Sequence, residues 1–152
     1  MSDATVFFDA LLRYEIRLWN VLDAALVRAH GVSLGRLQAL RVVRGHGGRA
    51  RVQDVSDELL ITVGAASKLV DRLERDGTAR RVPNPDDRRS SLIALTAAGE
   101  QLLDAASATF EAVLADCLPP ALVGTQDLVS LTATLRKLDS HLGSLSSVEV
   151  GL

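Results

Sequence analysis

Asp86-Asp87-Arg88-Arg89 is the densest charge in the chain, and it follows two prolines, Pro83 and Pro85. Guanidinium groups can read phosphates or a groove edge, and a neighbouring carboxylate can orient them. The plainer reading is a solvated hairpin turn. The other chemistry-bearing residues are scattered. His30, His46 and His141 lie far apart, and none stands at metal-ligand spacing with Cys117 or with acids. No glycine-rich phosphate loop or nucleophile motif is present. The sequence therefore predicts no catalysis, no metal and no cofactor. The single cysteine excludes an intramolecular disulfide framework and fits a reducing compartment. Cys117 reads as a small core hydrophobe rather than a sensing thiol.

The elements that must position the charged loop can be read outward from it. The 152 residues fit one domain, and 47 % hydrophobic residues suffice for a core. Aromatics are only 3 %, so that core must be Leu, Ala and Val, which suits packed helices. The N-terminal stretch MSDATVFFDALLRYE carries acids and lacks the basic region of a signal peptide. No apolar run approaches the ~18–20 residues that span a bilayer. These features predict a soluble cytoplasmic protein that does not enter membranes. The net charge of −2 argues against nucleic acid, but its distribution does not. Residues 35–89 hold 12 Lys/Arg against 8 Asp/Glu, while residues 90–152 hold 2 against 7. Local charge matters more than the total for binding phosphates. Chance clustering of solvated side chains is the bland alternative.

Apolar spacing predicts a long helix from Phe7 to Ala29, stopped by Gly31. It is apolar on more of its circumference than one neighbour covers. Ser33 caps a second helix, Leu34 to about Arg44, and Arg49–Val52 could be a short strand. Val52, Val55 and Leu59 begin a third helix that "LLIT" ends. Thr62 caps a fourth, running to Asp76 before Gly77. Two short helices with a tight junction make a helix-turn-helix candidate. On the second, Val63, Ala66, Leu69, Val70 and Leu73 fall within an arc of about 120°. Gly64, Ala65, Ser67, Lys68, Asp71, Arg72 and Arg75 fill the opposite side. Small residues let a helix lie close to a groove floor, and Ser67, Lys68 and Arg72 supply donors for bases and phosphates. Thr62, Gly64, Ser67, Lys68 and Arg72 are the candidate DNA-binding residues of this helix. Asp71 would orient Arg72 or Arg75, or accept from a cytosine amino group. An ordinary amphipathic surface helix would show the same split.

After Gly77, "ARRV" and "SLIAL" flank the charged loop as a hairpin with a tip from Pro83 to Ser90. The prolines limit the freedom the tip loses on meeting a partner. Thr96 caps the next helix, which runs to about Cys117. A last helix, Gln126 to Leu145, carries Leu128, Leu131, Leu135, Leu138, Leu142 and Leu145 at spacings of 3, 4, 3, 4 and 3. That is a heptad seam. It could pack within one chain. With Leu11 and Leu18 on the apolar first helix, it could instead build a dimer.

This order of elements resembles the MarR (multiple antibiotic resistance regulator) family of winged helix-turn-helix transcription factors. The most specific match is Asp87-Arg88-Arg89, followed by Leu92-Ile93-Ala94-Leu95-Thr96 and Gly99, the pattern of that family's wing. "DRLERDG", Asp71–Gly77, is similar to the end of its recognition helix. The resemblance implies a mainly α fold with a small β-hairpin, as a single domain over 1–152. Within it, 33–97 would form the winged helix-turn-helix, and 5–30 and 97–146 the N- and C-terminal dimerisation helices. It implies a homodimer on double-stranded DNA, probing major grooves with recognition helices and minor grooves with wing arginines. By position Arg89 is the minor-groove arginine and Asp87 the carboxylate that holds it, with Arg88, Arg80 and Arg81 placed for phosphates. Large apolar residues usually follow the glycine in that family; Thr78 and Ala79 stand here, which predicts a less firmly anchored wing base.

The resemblance further implies a repressor of a pseudo-palindromic operator, released by a small aromatic or phenolic effector bound between the dimer helices and the winged domain. Tyr14, Arg17 and Trp19 are the candidate effector contacts. Trp19 could equally be core, and Arg17 solvated. A helical dimer that binds a ligand or protein without DNA is the alternative reading.

Overall fold

The computed structural model describes residues 2–87 and 89–149, without the side chains of 146–149. Its elements are α1 (Asp3–His30), α2 (Leu34–Gly45), α3 (Val52–Leu59), α4 (Val63–Arg75), β1 (Ala79–Pro83), β2 (Ser91–Leu95), α5 (Ala97–Cys117) and α6 (Gln126–Glu149). The expected class, mainly α with one hairpin, is the one observed. The chain divides into two compact units, 1–113 and 114–152.

Helix α1 begins four residues before the apolar pattern does. Ser2 Oγ caps it by accepting from the Thr5 amide, and Asp3 stands in the positive first turn. Gly31 closes it at φ +67°, a conformation few other residues adopt. The C-terminal half buries Leu22, Ala25 and Leu26, whereas Phe7, Phe8 and Leu11 near the start are exposed.

The core of the first unit is built around α2, which buries Leu34, Leu37, Ala39, Leu40, Val42 and Val43. Polar links radiate from the same helix. Asp23 accepts the Leu34 amide at 2.7 Å, which joins α1 to the α2 N-terminus. Arg36 pairs with Asp76 after α4, and Arg44 pairs with Asp104 and Glu100 of α5. The Arg41 guanidinium lies 4.2 Å from the centre of the Phe110 ring.

Strands β1 and β2 pair antiparallel, from Ala79 opposite Leu95 to Pro83 opposite Ser91. The strand expected at 49–52 is reduced to one bridge, Ala50 with Ile93, because Val52 already opens α3. The base of the hairpin is firmly held, contrary to the expectation from Thr78 and Ala79. Both are buried. Thr78 Oγ1 donates to the Leu73 carbonyl at 3.0 Å, and the Thr78 carbonyl accepts the Thr96 amide at 3.1 Å. Thr96 Oγ1 donates to the Gly77 carbonyl and accepts from the Gly99 amide. A methyl group at Gly99 would overlap the Thr78 carbonyl, so only glycine allows this approach. Main-chain hydrogen bonds here replace the large side chains.

The second unit contains α6. Its Leu131, Leu135, Leu138, Leu142 and Leu145 are exposed, and Leu128 is half-buried. Cys117 is half-buried rather than part of the core expected for it. Among the described residues no helix is long and apolar enough to cross a membrane.

Candidate nucleic-acid interface

The junction between α3 and α4 is three residues, Leu60 to Thr62. Leu60 takes φ +53°, ψ 40°, and the residue is 86 % exposed. A leucine in the left-handed region is costly, so its surroundings must impose it. They do: buried Ser56 donates its hydroxyl to the Ile61 carbonyl at 2.7 Å, and its own carbonyl accepts the Ile61 amide at 3.1 Å. Thr62 Oγ1 then accepts the Ala65 amide at 3.2 Å, the expected cap of α4. The sequence reading missed Leu60, because a lone apolar residue carries no mark of a positive φ.

Helix α4 buries Ala66, Val70 and Leu73. Leu69 is half-buried, and Val63, expected inward, is half exposed because it opens the first turn at the junction. Gly64, Ala65, Lys68, Arg72 and Arg75 are exposed along one side, with Ser67 half-buried beside them. A Cβ at Gly64 would meet nothing within 4 Å. The chain's own packing therefore does not require glycine there. The position is open to a close approach from outside.

The acids of this helix are arranged otherwise than expected. Asp71 orients neither Arg72 nor Arg75. It accepts Arg81 Nη2 of β1 at 2.6 Å, and Glu74 accepts both Arg81 Nε at 3.3 Å and the Arg81 amide at 3.2 Å. Arg81 is thus half-buried and clamped, not free for a phosphate. Arg81 thus engages both carboxylates, offsets one of their two negative charges and ties the helix to the hairpin. Among the described residues, Lys68, Arg72, Arg75 and Arg89 take part in no ion pair.

The hairpin tip is shaped by two side chains. Asn84 is buried; its amide donates to Ser90 Oγ at 2.8 Å, and its Oδ1 accepts the Asp86 amide at 3.0 Å. This is an Asx turn, and an asparagine between two prolines was the available signal for it. Asp87 Oδ1 accepts the main-chain amide of Arg89 at 2.9 Å. Asp87 therefore holds the backbone of Arg89 and leaves its exposed side chain to reach outward. The Arg89 amide, then the Ser90 hydroxyl, then Arg51, hold the Asp87 carboxyl below its ordinary range. Arg49 pairs with Asp86 at 2.6 Å and links the tip to the connection before α3. Arg88, the other expected phosphate contact, lies outside the described residues.

Of the expected effector contacts, Trp19 lines a cleft of about 460 Å³ with Gln38 of α2, Glu58 and Leu59 of α3, Ile61, and Leu69 of α4. Tyr14 and Arg17 are exposed and are not among the residues lining it. Glu58 is held by His46, whose Nε2 lies 2.6 Å from Glu58 Oε1 and whose Nδ1 lies 3.8 Å from Asp54. The Glu58 contact raises the His46 pKa above its ordinary value, with a smaller opposing effect of burial and further help from Asp54. Among the described residues, no group of three or more His, Cys, Asp or Glu is placed to hold a metal.

Residues 30–90 match the model of the MarR family. The HTH-type transcriptional regulator YfiV of Bacillus subtilis is 26 % identical over 107 residues, which cover 63 % of this chain and 66 % of that protein. The chain thus spans just under two thirds of that relative's length. AbsC, a MarR family transcriptional regulator from Streptomyces coelicolor, superposes with a TM-score of 0.83 at 20 % identity, over 95 % of this chain and 97 % of its own. A cysteine-to-serine mutant of MarR from E. coli, complexed with operator DNA, superposes with a TM-score of 0.76 at 18 % identity, over 86 % and 91 %.

Proposed function

We propose, from the match of residues 30–90 to the MarR-family model, that this chain is a sequence-specific regulator of transcription that binds double-stranded DNA as a homodimer. One observation carries the reading. The two acids of α4 are both engaged by Arg81, while Lys68 and Arg72 beside them and Arg89 on the wing are exposed and, among the described residues, in no ion pair. Thr62, Gly64, Ser67, Lys68 and Arg72 face a major groove, with Gly64 allowing close approach. Arg89, and Arg88 beside it, serve the minor groove and the flanking phosphates. A narrow A·T-rich minor groove has the strongest negative potential for such an arginine.

The apolar start of α1 and the leucines of α6 supply the dimer contact, through Leu11, Leu18, Leu128, Leu131, Leu135, Leu138 and Leu142. A twofold dimer reads two half-sites about one helical turn apart, hence a pseudo-palindrome. The regulator acts as a repressor in the cytoplasm, and a small aromatic effector in the Trp19 cleft releases it. The effector would favour a spacing of the two recognition helices that the operator does not accept.

Selection of bound sequences from random duplex DNA at a stated salt concentration tests this directly. An enriched inverted repeat is expected. A pool that stays random would leave a dimer that binds ligand or protein without DNA.

A further inference from the structure

The residues lining the Trp19 cleft include an acid and no base, which is not what an aromatic acid requires. Its walls are the Trp19 ring and the aliphatic side chains of Leu59, Ile61 and Leu69. About 460 Å³ is room for one ring and a short tail. Its polar side chains are Gln38 and Glu58, and Glu58 is the ionisable one. The arginines of α2 are engaged elsewhere: Arg36 with Asp76, Arg41 with Glu111, and Arg44 with Asp104 and Glu100. None of them lines the cleft. An anionic ligand would bring its carboxylate toward Glu58 with no cation among the lining residues to receive it.

We infer that the cleft takes a small aromatic cation, an aryl-alkyl amine, rather than an aromatic acid. The inference deepens the effector reading above and rests on it. The ring of such a ligand would pack on Leu59, Ile61 and Leu69, and its ammonium would meet Glu58. His46 fixes one oxygen, Oε1, at 2.6 Å. Oε2 has no partner among the described residues, so the carboxylate is oriented and still able to accept. The Trp19 face adds an attraction for cations that it does not offer to anions. The position also gives the ligand leverage. Trp19 belongs to α1, whereas Glu58 lies on α3, the first helix of the helix-turn-helix. An ammonium on Oε2 would share the Glu58 carboxylate with His46, which joins the end of α2 to α3.

Trp19 is the only tryptophan, so its emission reports occupancy of the cleft in the full chain. The probes are 2-phenylethylamine and phenylacetate, matched in size and opposite in charge and without emission of their own at the tryptophan excitation wavelength. The amine is expected to give a saturable change at a Kd at least tenfold below that of phenylacetate. Glu58→Gln, checked for folding by circular dichroism, should reduce that ratio to near one. The inference is overturned if phenylacetate binds as tightly as the amine, if neither probe changes the emission, or if the folded variant keeps the preference. The ratio on the unaltered chain decides the matter even if the variant does not fold. An inverted repeat enriched from random DNA, together with no amine preference, would leave the regulator standing and remove only its proposed ligand.

Discussion

Helices α2 and α6 are both leucine-rich, yet they end in opposite environments. Six of the twelve residues of α2 are buried within one chain, and Leu37 and Leu40 are fully covered. In α6 the seam leucines are exposed, Leu135 at 47 % and Leu142 at 61 %. The start of α1 behaves like α6, with Phe8 at 58 %. Sustained apolar surface of this extent marks an interaction site rather than ordinary exposure. The winged unit is thus completed by its own chain, whereas the start of α1 and the seam of α6 present the apolar faces that the proposed second copy would cover.

Leu135→Asp places a charge in the seam twice per twofold dimer. It should raise the dimer dissociation constant by at least about a hundredfold, since each buried leucine contributes roughly 1.5–3 kcal/mol. Sedimentation equilibrium reads this, and an unchanged dimer would refute the seam. Leu40→Ala should act in the opposite compartment. It should lower unfolding stability by about 2–5 kcal/mol through the cavity it leaves, measured by urea titration at a fixed protein concentration. A loss below about 1 kcal/mol would mean that α2 is not the hub described.

Smaller changes sharpen the contrast. Gly64→Ala should raise stability by up to about 1 kcal/mol, because alanine is the better helix former and nothing lies in its way. It should nonetheless weaken duplex affinity. Tighter binding with the added methyl would remove the close-approach argument. The smallest effect is on pH dependence. His46 has a raised pKa in the folded chain, so its contribution to stability is complete below about 6.5. That contribution fades as pH rises through the higher folded value. His46→Gln should flatten the stability profile above about pH 6.5 and leave acid pH the more affected. An identical profile would mean that the Glu58 contact contributes nothing.

The frame of the winged unit was legible because its punctuation is local. Ser33, Thr62 and Thr96 cap helices, and Gly31 and Gly77 stop them, each through chemistry confined to a few residues. The charged side of α4 was legible for the same reason, since helical periodicity fixes which residues share a face. What could not be read depends on elements that meet only after folding. Arg81 was assigned to phosphate because nothing local shows that Asp71 and Glu74 of a helix face it across the hairpin. Glu58 and His46 are 12 positions apart and meet through the packing of α2 on α3. Asp87 was expected to hold the Arg89 guanidinium, but the two-residue spacing favours the main-chain amide. The firm wing base was missed because Thr78 and Gly99 act through backbone contact, which side-chain hydrophobicity does not reveal.

The central claim is that the exposed cations of α4 and the wing grip a polyanion while Arg81 holds the two acids beside them. Its most direct test is the affinity for the enriched duplex between 50 and 200 mM salt, compared for the unaltered chain and Arg89→Ala. With Lys68, Arg72 and Arg89 from each of two copies on phosphates or in grooves, affinity should fall about a thousandfold over that range. Arg89→Ala should bind more weakly and show a shallower slope, with the dimer intact. A flat salt dependence, or an Arg89→Ala variant with the affinity and slope of the unaltered chain, would contradict the account.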